Sequence, residues 1–208
     1  MGLELEVGAK LLSGSRFRSC VSALNAQLFY AVHLERRDVS KVGVISDTHD
    51  NLPAVDAALE RLERMGVRLL LHAGDIIAPF TLRRILSRGF EFRGVFGNND
   101  GELLLLSRVA RDHGAVLVQQ PLITEIEGLR AIILHGLSGI EETKSFVTAL
   151  AKTGEYDVVI YGHTHEADVR RVGKALIVNP GEACGYLTGR RSLAVLDTVK
   201  MEVELITL

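Results

Sequence analysis

Five short apolar runs, each meeting residues able to ligate a metal, constrain this chain more than any other feature. "VGVIS" runs into Asp47-Thr48-His49, and "RLLLHAG" runs into Asp75. "GVFG" runs into Asn98-Asn99-Asp100, "AIILHG" carries His135, and "VVIYG" runs into His163-Thr164-His165. Runs of this length read as buried strands. In open α/β sheets, sites form at the carboxyl ends of strands, so these clusters are placed to converge.

The segments between the runs support this. "LPAVDAALERLERMG" reads as an amphipathic helix closed by Gly66. "APFTLRRILSRG" is a second helix, stopped at Gly89, and "GELLLLSRVARDHG" a third, ended by Gly114. Strand and helix therefore alternate, which favours a sheet with helical cover. The second half is richer in β. "PLITEIEG" and "RAIILHG" read as paired strands and "EETKSFVTALAKTG" as a helix. "EADVRRVG", "ALIVNPG", "RSLAVLDT" and "KMEVELITL" then read as strands joined by turns. A second sheet facing the first is the expected outcome, in one layered α/β domain over residues 41–208.

Residues 1–40 differ. Phe17, Val21, Leu24, Leu28 and Ala31 line one helical face, which predicts an N-terminal extension with an amphipathic helix. Such a face suits the domain surface or a second subunit, so a homo-oligomer stays open. No chemistry attaches to the segment.

Composition narrows the functional classes. The net charge of -2 supplies no basic footprint for nucleic acid or an anionic membrane. No apolar run reaches the roughly 18 residues of a membrane span. The two cysteines, Cys20 and Cys184, form no C-x-x-C pair, which suits a reducing, cytoplasmic setting.

The converging set comprises Asp47, His49, Asp75, Asn98, His135, His163 and His165. It offers oxygen and nitrogen ligands and no thiolate, which excludes a structural cysteine-type zinc site. Imidazole mixed with carboxylate suits Mn, Fe, Co, Ni or Zn. Seven side chains exceed the needs of one ion with room for substrate, so two ions sharing a carboxylate are expected. That arrangement clamps attacking and leaving oxygens in phosphoryl transfer.

In order and spacing, "SDTH", "AGD", "GNND", "LHG" and "GHTH" resemble the signature of the metallophosphoesterase (calcineurin-like) superfamily. The closing "NPGEACGYLTG" resembles its small, cap-less phosphodiesterase branch in archaea and bacteria. The resemblance covers Lys41 to the C-terminus. It implies a four-layer α-β-β-α sandwich of two facing sheets flanked by helices. It also implies two divalent ions, manganese favoured. Asp47, His49 and His165 would hold one ion, and Asn98, His135 and His163 the other. Asp75 would bridge them, and a hydroxide between the ions would attack phosphorus. The implied substrate is a small-molecule phosphodiester or nucleotide. Asp75, His135 and Asn99 form the implied catalytic set. Asn99 stands where many members have a leaving-group histidine, so it is expected as a phosphate contact without a proton to give.

Of the remaining polar residues, Asp100 is expected to cap the helix after it, and Asp50 and Asn51 to cap the helix at Pro53. "NPGE" is expected to turn the backbone towards the site, with no chemistry assigned to Glu182. Cys184 reads as a small buried residue, His33 and His113 as surface or structural, and His72 as either structural or supporting. Three other functions compete, of which a nuclease is weakened by the absence of a basic patch. A phosphomonoesterase would use the same ions. A non-catalytic scaffold, like the retromer subunit of this fold, would be expected to lack ligand histidines that this chain retains.

Overall fold

A computed structural model describes residues 41–208 of the chain. The helical face expected between Phe17 and Ala31 lies outside the described residues.

The first sheet is built by β1 (Lys41–Ile45), β2 (Leu69–His72), β3 (Glu91–Val95), β4 (Val116–Val118), β10 (Ser192–Asp197) and β11 (Glu202–Thr207), in the order β11-β10-β1-β2-β3-β4. Strands β1 to β4 are parallel, whereas β10 joins β1 antiparallel and carries β11. The second sheet holds β5 (Leu122–Ile126), β6 (Leu129–Ile133), β7 (Val158–Ile160), β8 (Ala167–Val172) and β9 (Ala175–Pro180), in the order β5-β6-β7-β9-β8. Its centre, β6-β7-β9, is parallel, and its edges are antiparallel.

Side chains alternate across each strand with a period of two, and this sorts the apolar residues into three layers. Val42, Val44, Leu69 and Leu71 point inward to meet Ala131, Ile133, Val158 and Ile160 of the other sheet. Ile45 and Leu70 point outward, against helices α1 (Leu52–Arg64), α2 (Pro79–Leu86) and α3 (Leu103–Asp112). Ile132, Val159 and Ile177 point to the opposite outside, against Val147 and Ala151 of α4 (Ile140–Lys152). The result is the expected α-β-β-α sandwich. Each buried leucine or isoleucine contributes about 1.5–3 kcal/mol.

Helix α1 starts as the sequence indicates. The Asn51 side chain accepts a hydrogen bond from Ala54 N at 3.3 Å, and Pro53 sits in the first turn. Asp50 does something else. Its Oδ1 accepts from Ala78 N at 3.1 Å and from Thr81 Oγ1 at 2.5 Å, so it fixes the start of α2. Strand β4 was not expected from the sequence. Asp100 does not cap α3, because the helix begins two residues later than its capping would require, with Glu102 as the N-cap residue.

Candidate metal centre

Both sheets deliver strand ends to one edge of the sandwich. Ala73 N donates to Ile45 O at 2.9 Å and Asp47 N to Gly74 O at 3.0 Å. Thr48 N and His49 N both donate to Asp75 O, at 3.0 and 3.1 Å. The two sheets are joined at the site by His135, whose Nδ1 lies 2.7 Å from Ala73 O.

All seven candidate ligands meet there. Asp75 Oδ2 lies 3.4 Å from His49 Nε2 and 3.4 Å from His135 Nε2. Asp47 Oδ1 is 3.9 Å from His49 Nε2 and 3.5 Å from His165 Nε2. Asn98 Oδ1 is 2.9 Å from His135 Nε2 and 3.0 Å from His163 Nδ1. Asp47, Asp75 and His135 form the buried floor, His49, His163 and His165 are half-buried, and Asn98 is exposed. The cluster therefore opens to solvent on the Asn98 side.

The convergence has a backbone cause that the sequence reading did not foresee. Asp47 (φ 53°), His49 (41°), Asp75 (62°), His163 (68°) and His165 (59°) all occupy the left-handed region. Non-glycine residues seldom do so, and such strain costs of order 1–3 kcal/mol per residue. His163 and His165, two residues apart, therefore do not simply share one direction as they would on an extended strand. Left-handed turns aim His163 at Asn98 and His165 at Asp47. Two glycines admit the close packing this requires. A Cβ on Gly97 would lie 2.1 Å from Asp75 Oδ1, and one on Gly162 would lie 2.0 Å from Ser46 Oγ.

The residues fit a cation. Asp47 Oδ1 and His49 Nε2 are buried with no hydrogen-bond partner. An orphaned buried polar atom costs about 1–3 kcal/mol, and a divalent ion between a carboxylate and an imidazole removes that penalty. Asp47, His49 and Asp75 present three such atoms within 4.8 Å of one another. One thiol also stands beside the cluster. Cys184 Sγ lies within the same distance of ligand atoms of His49 and His165. Its thiol donates to Glu182 Oε2 at 3.2 Å, and burial with that carboxylate pushes its pKa up to about 12.

Supporting groups hold the ligands. Glu182 is fully buried, and its Oε2 lies 2.8 Å from His165 Nδ1, which turns Nε2 towards Asp47. Burial would raise the Glu182 carboxyl, but donors from Thr188, His165 and Leu187 lower it to about 2. Sequence reasoning gave Glu182 no role. The available signal was a glutamate after the glycine turn of "NPGE", since Gly181 has φ 79° and Ala183 N and Cys184 N donate to Ser46 O and Asp47 O. Asp100 accepts from Asp75 N, Ile77 N and Gly97 N at 3.2, 2.6 and 2.8 Å, which sets the Asp75 and Asn98 loops. Asn99 donates from its backbone N to Asp75 Oδ1 at 2.9 Å and from Nδ2 to Asp75 Oδ2 at 2.7 Å. A carboxamide has two N–H groups, so one remains for an anion at this exposed position.

The electrostatics follow from these contacts. Burial opposes ionisation of Asp75, yet the His135 hydrogen bond and charge and the Asn99 donors hold its carboxyl below the usual range. Burial likewise opposes protonation of His135 and His49, but the Asp75 and Asp47 carboxylates outweigh it and raise both. Burial lowers His163, and it lowers His72 to about 3. His72 is a supporting residue here. Its Nδ1 accepts from Gly74 N at 3.1 Å and its Nε2 is 3.2 Å from Thr48 Oγ1. His113 is exposed at the end of α3.

The family profile of the calcineurin-like phosphoesterase superfamily domain matches residues 41–201. The chain belongs to this superfamily. Like its relatives it is a phosphoric ester hydrolase. A phosphodiesterase of Methanocaldococcus jannaschii is 37% identical over 169 residues, covering 81% of this chain and 99% of that one. A solved archaeal phosphodiesterase, also 37% identical, superposes with a TM-score of 0.75 and covers 81% of this chain and 99% of its own. A single-site variant of Vps29 from Entamoeba histolytica, 21% identical with a TM-score of 0.59, covers 81% of this chain and 98% of its own and shares the fold alone. No helix among the described residues is long and apolar enough to cross a membrane.

Proposed function

We propose that this metallophosphoesterase is a phosphodiesterase for small organic phosphodiesters or nucleotides, using two divalent ions with manganese preferred. Asp47, His49 and His165 would hold one ion, Asn98, His135 and His163 the other, and Asp75 would be shared between them. The observation that carries this reading is the position of Asp75 Oδ2, at 3.4 Å from a histidine of each set. The identity of this chain with the archaeal phosphodiesterases supports the diester preference.

When bound, such ions lower the pKa of a coordinated water to roughly 7 and so supply a nucleophile at neutral pH. The chain's own groups do the rest. Glu182 and the Ala73 carbonyl fix the ring orientation of His165 and His135. Asn99 holds Asp75 with one amide hydrogen and presents the other to a phosphoryl oxygen. It has no proton to give the leaving group, so substrates with good leaving alcohols react fastest.

The test is hydrolysis of bis(4-nitrophenyl) phosphate and of 4-nitrophenyl phosphate after chelation and readdition of Mn²⁺, Ni²⁺ or Zn²⁺. Metal-restored diester cleavage exceeding monoester cleavage is expected. Faster monoester cleavage overturns the diester assignment, and activity unaffected by chelation overturns the metal assignment.

A further inference from the structure

A cavity of about 570 Å³ opens beside the cluster, within the roughly 300–1,000 Å³ typical of small-ligand sites. One wall is His165, whose Nε2 lies 3.5 Å from Asp47 Oδ1, so the cavity adjoins the Asp47 end of the cluster. Leu205 and Ile206 supply apolar lining, and Thr188 and Ser192 supply hydroxyls. Both hydroxyls are already bonded, to Glu182 Oε1 at 2.7 Å and to Pro180 O at 2.7 Å.

The charged lining residues are Glu166 and Arg190. Glu166 is neutralised by Lys144 Nζ at 3.0 Å. The Arg190 guanidinium forms no ion pair or hydrogen bond among the described residues. Its backbone is nonetheless held, because Arg190 N donates to Thr188 Oγ1 at 3.1 Å. Thr188 N and Leu187 N in turn donate to Glu182, the partner of His165. An unpaired cation thus stands on a loop tied to a candidate ligand, across a cavity with partly apolar walls.

We infer that this cavity receives the second ester arm of the substrate, and that Arg190 recognises an anionic group at the end of that arm. The group is a carboxylate or a phosphate, either of which pairs with a guanidinium. The inference rests on the phosphodiesterase reading and adds a substrate class to it.

The test uses the full chain loaded with Mn²⁺ and four 4-nitrophenyl phosphodiesters sharing one leaving group. Their second arms are ethyl, 3-carboxypropyl, 3-phosphopropyl and choline. Wild-type kcat/KM is expected to favour the two anionic arms over ethyl by about fivefold, the size of an exposed ion pair, with the gain in KM. Arg190→Ala brings the ratio to about one, and Arg190→Glu reverses it in favour of choline. A larger gain for one anionic arm identifies the group. Equal kcat/KM across the four arms in wild type, or a preference that survives Arg190→Ala, overturns the inference. If no diester is hydrolysed, the phosphodiesterase reading fails instead. Calorimetric Kd values for the matching methylphosphonates then decide the subsite by the same ratios.

Discussion

His165 Nδ1 lies 2.8 Å from Glu182 Oε2, and the same carboxylate gathers Leu187 N, Thr188 N, Thr188 Oγ1 and Cys184 Sγ. One buried acid therefore sets the orientation of a candidate ligand and the path of the loop beyond it. Glu182→Gln keeps the shape but weakens the pull on Nδ1. Partners of this kind typically contribute 10–100-fold to metal affinity or activity. Mn²⁺ affinity and kcat/KM are expected to fall together by about tenfold, as read by calorimetry and diester turnover. An unchanged affinity would leave Glu182 as a loop anchor only.

Gly97 is a second point of control. Alanine there places Cβ 2.1 Å from Asp75 Oδ1 and 2.5 Å from Asp75 N, so the carboxylate must move. A misplacement near 1 Å can cost about a hundredfold in rate. Gly97→Ala is expected to lose turnover on that scale. Gly101→Ala, where a Cβ meets nothing within 4 Å, should match wild type and serves as the control.

His72 gives the fold a pH dependence. It is completely buried, with its pKa depressed from 6.5 to about 3. A depressed group gives stability that is complete above its unfolded value and is lost as pH falls towards its folded value. Between pH 6.5 and 3, the His72 contribution declines by about 1.4 kcal/mol per unit. In His72→Asn, whose amide oxygen can still accept from Gly74 N, the slope of unfolding free energy against pH should be shallower by about that amount. Urea titrations of both proteins at pH 7 and pH 5.5 check this.

Much of the fold was legible because period-two and helical patterns are strong in this chain. Val42, Val44, Leu69 and Leu71 fall on one face by simple alternation, and Leu59 and Leu62 on one side of α1. Strand β4 buries only Leu117 and so leaves no apolar run, whereas the equally short β7 is buried throughout and stands out. The candidate ligands were visible as polar residues at strand ends. What brings them together was not. Asp and His enter the left-handed region more often than most side chains but still only in a minority of positions, so residue type alone does not announce the φ of Asp47, Asp75 or His165. Asp100 misled because an acid before a helix suits a cap equally well; here its oxygens go to Asp75, Ile77 and Gly97. Glu182 lies 17 residues from His165, and pairing of β8 with β9 brings them together. Only tertiary structure could show that pair, or place Cys184 beside His49.

The central claim is that Asp75 joins two ions. Elemental analysis of the Mn²⁺-reconstituted protein, with diester turnover on the same samples, tests it most directly. Wild type is expected to hold two ions per chain and to turn over. Asp75→Asn, with its fold intact by circular dichroism, is expected to hold fewer and to be inactive. One ion per chain in a fully active wild type, or full turnover by Asp75→Asn, would contradict the account.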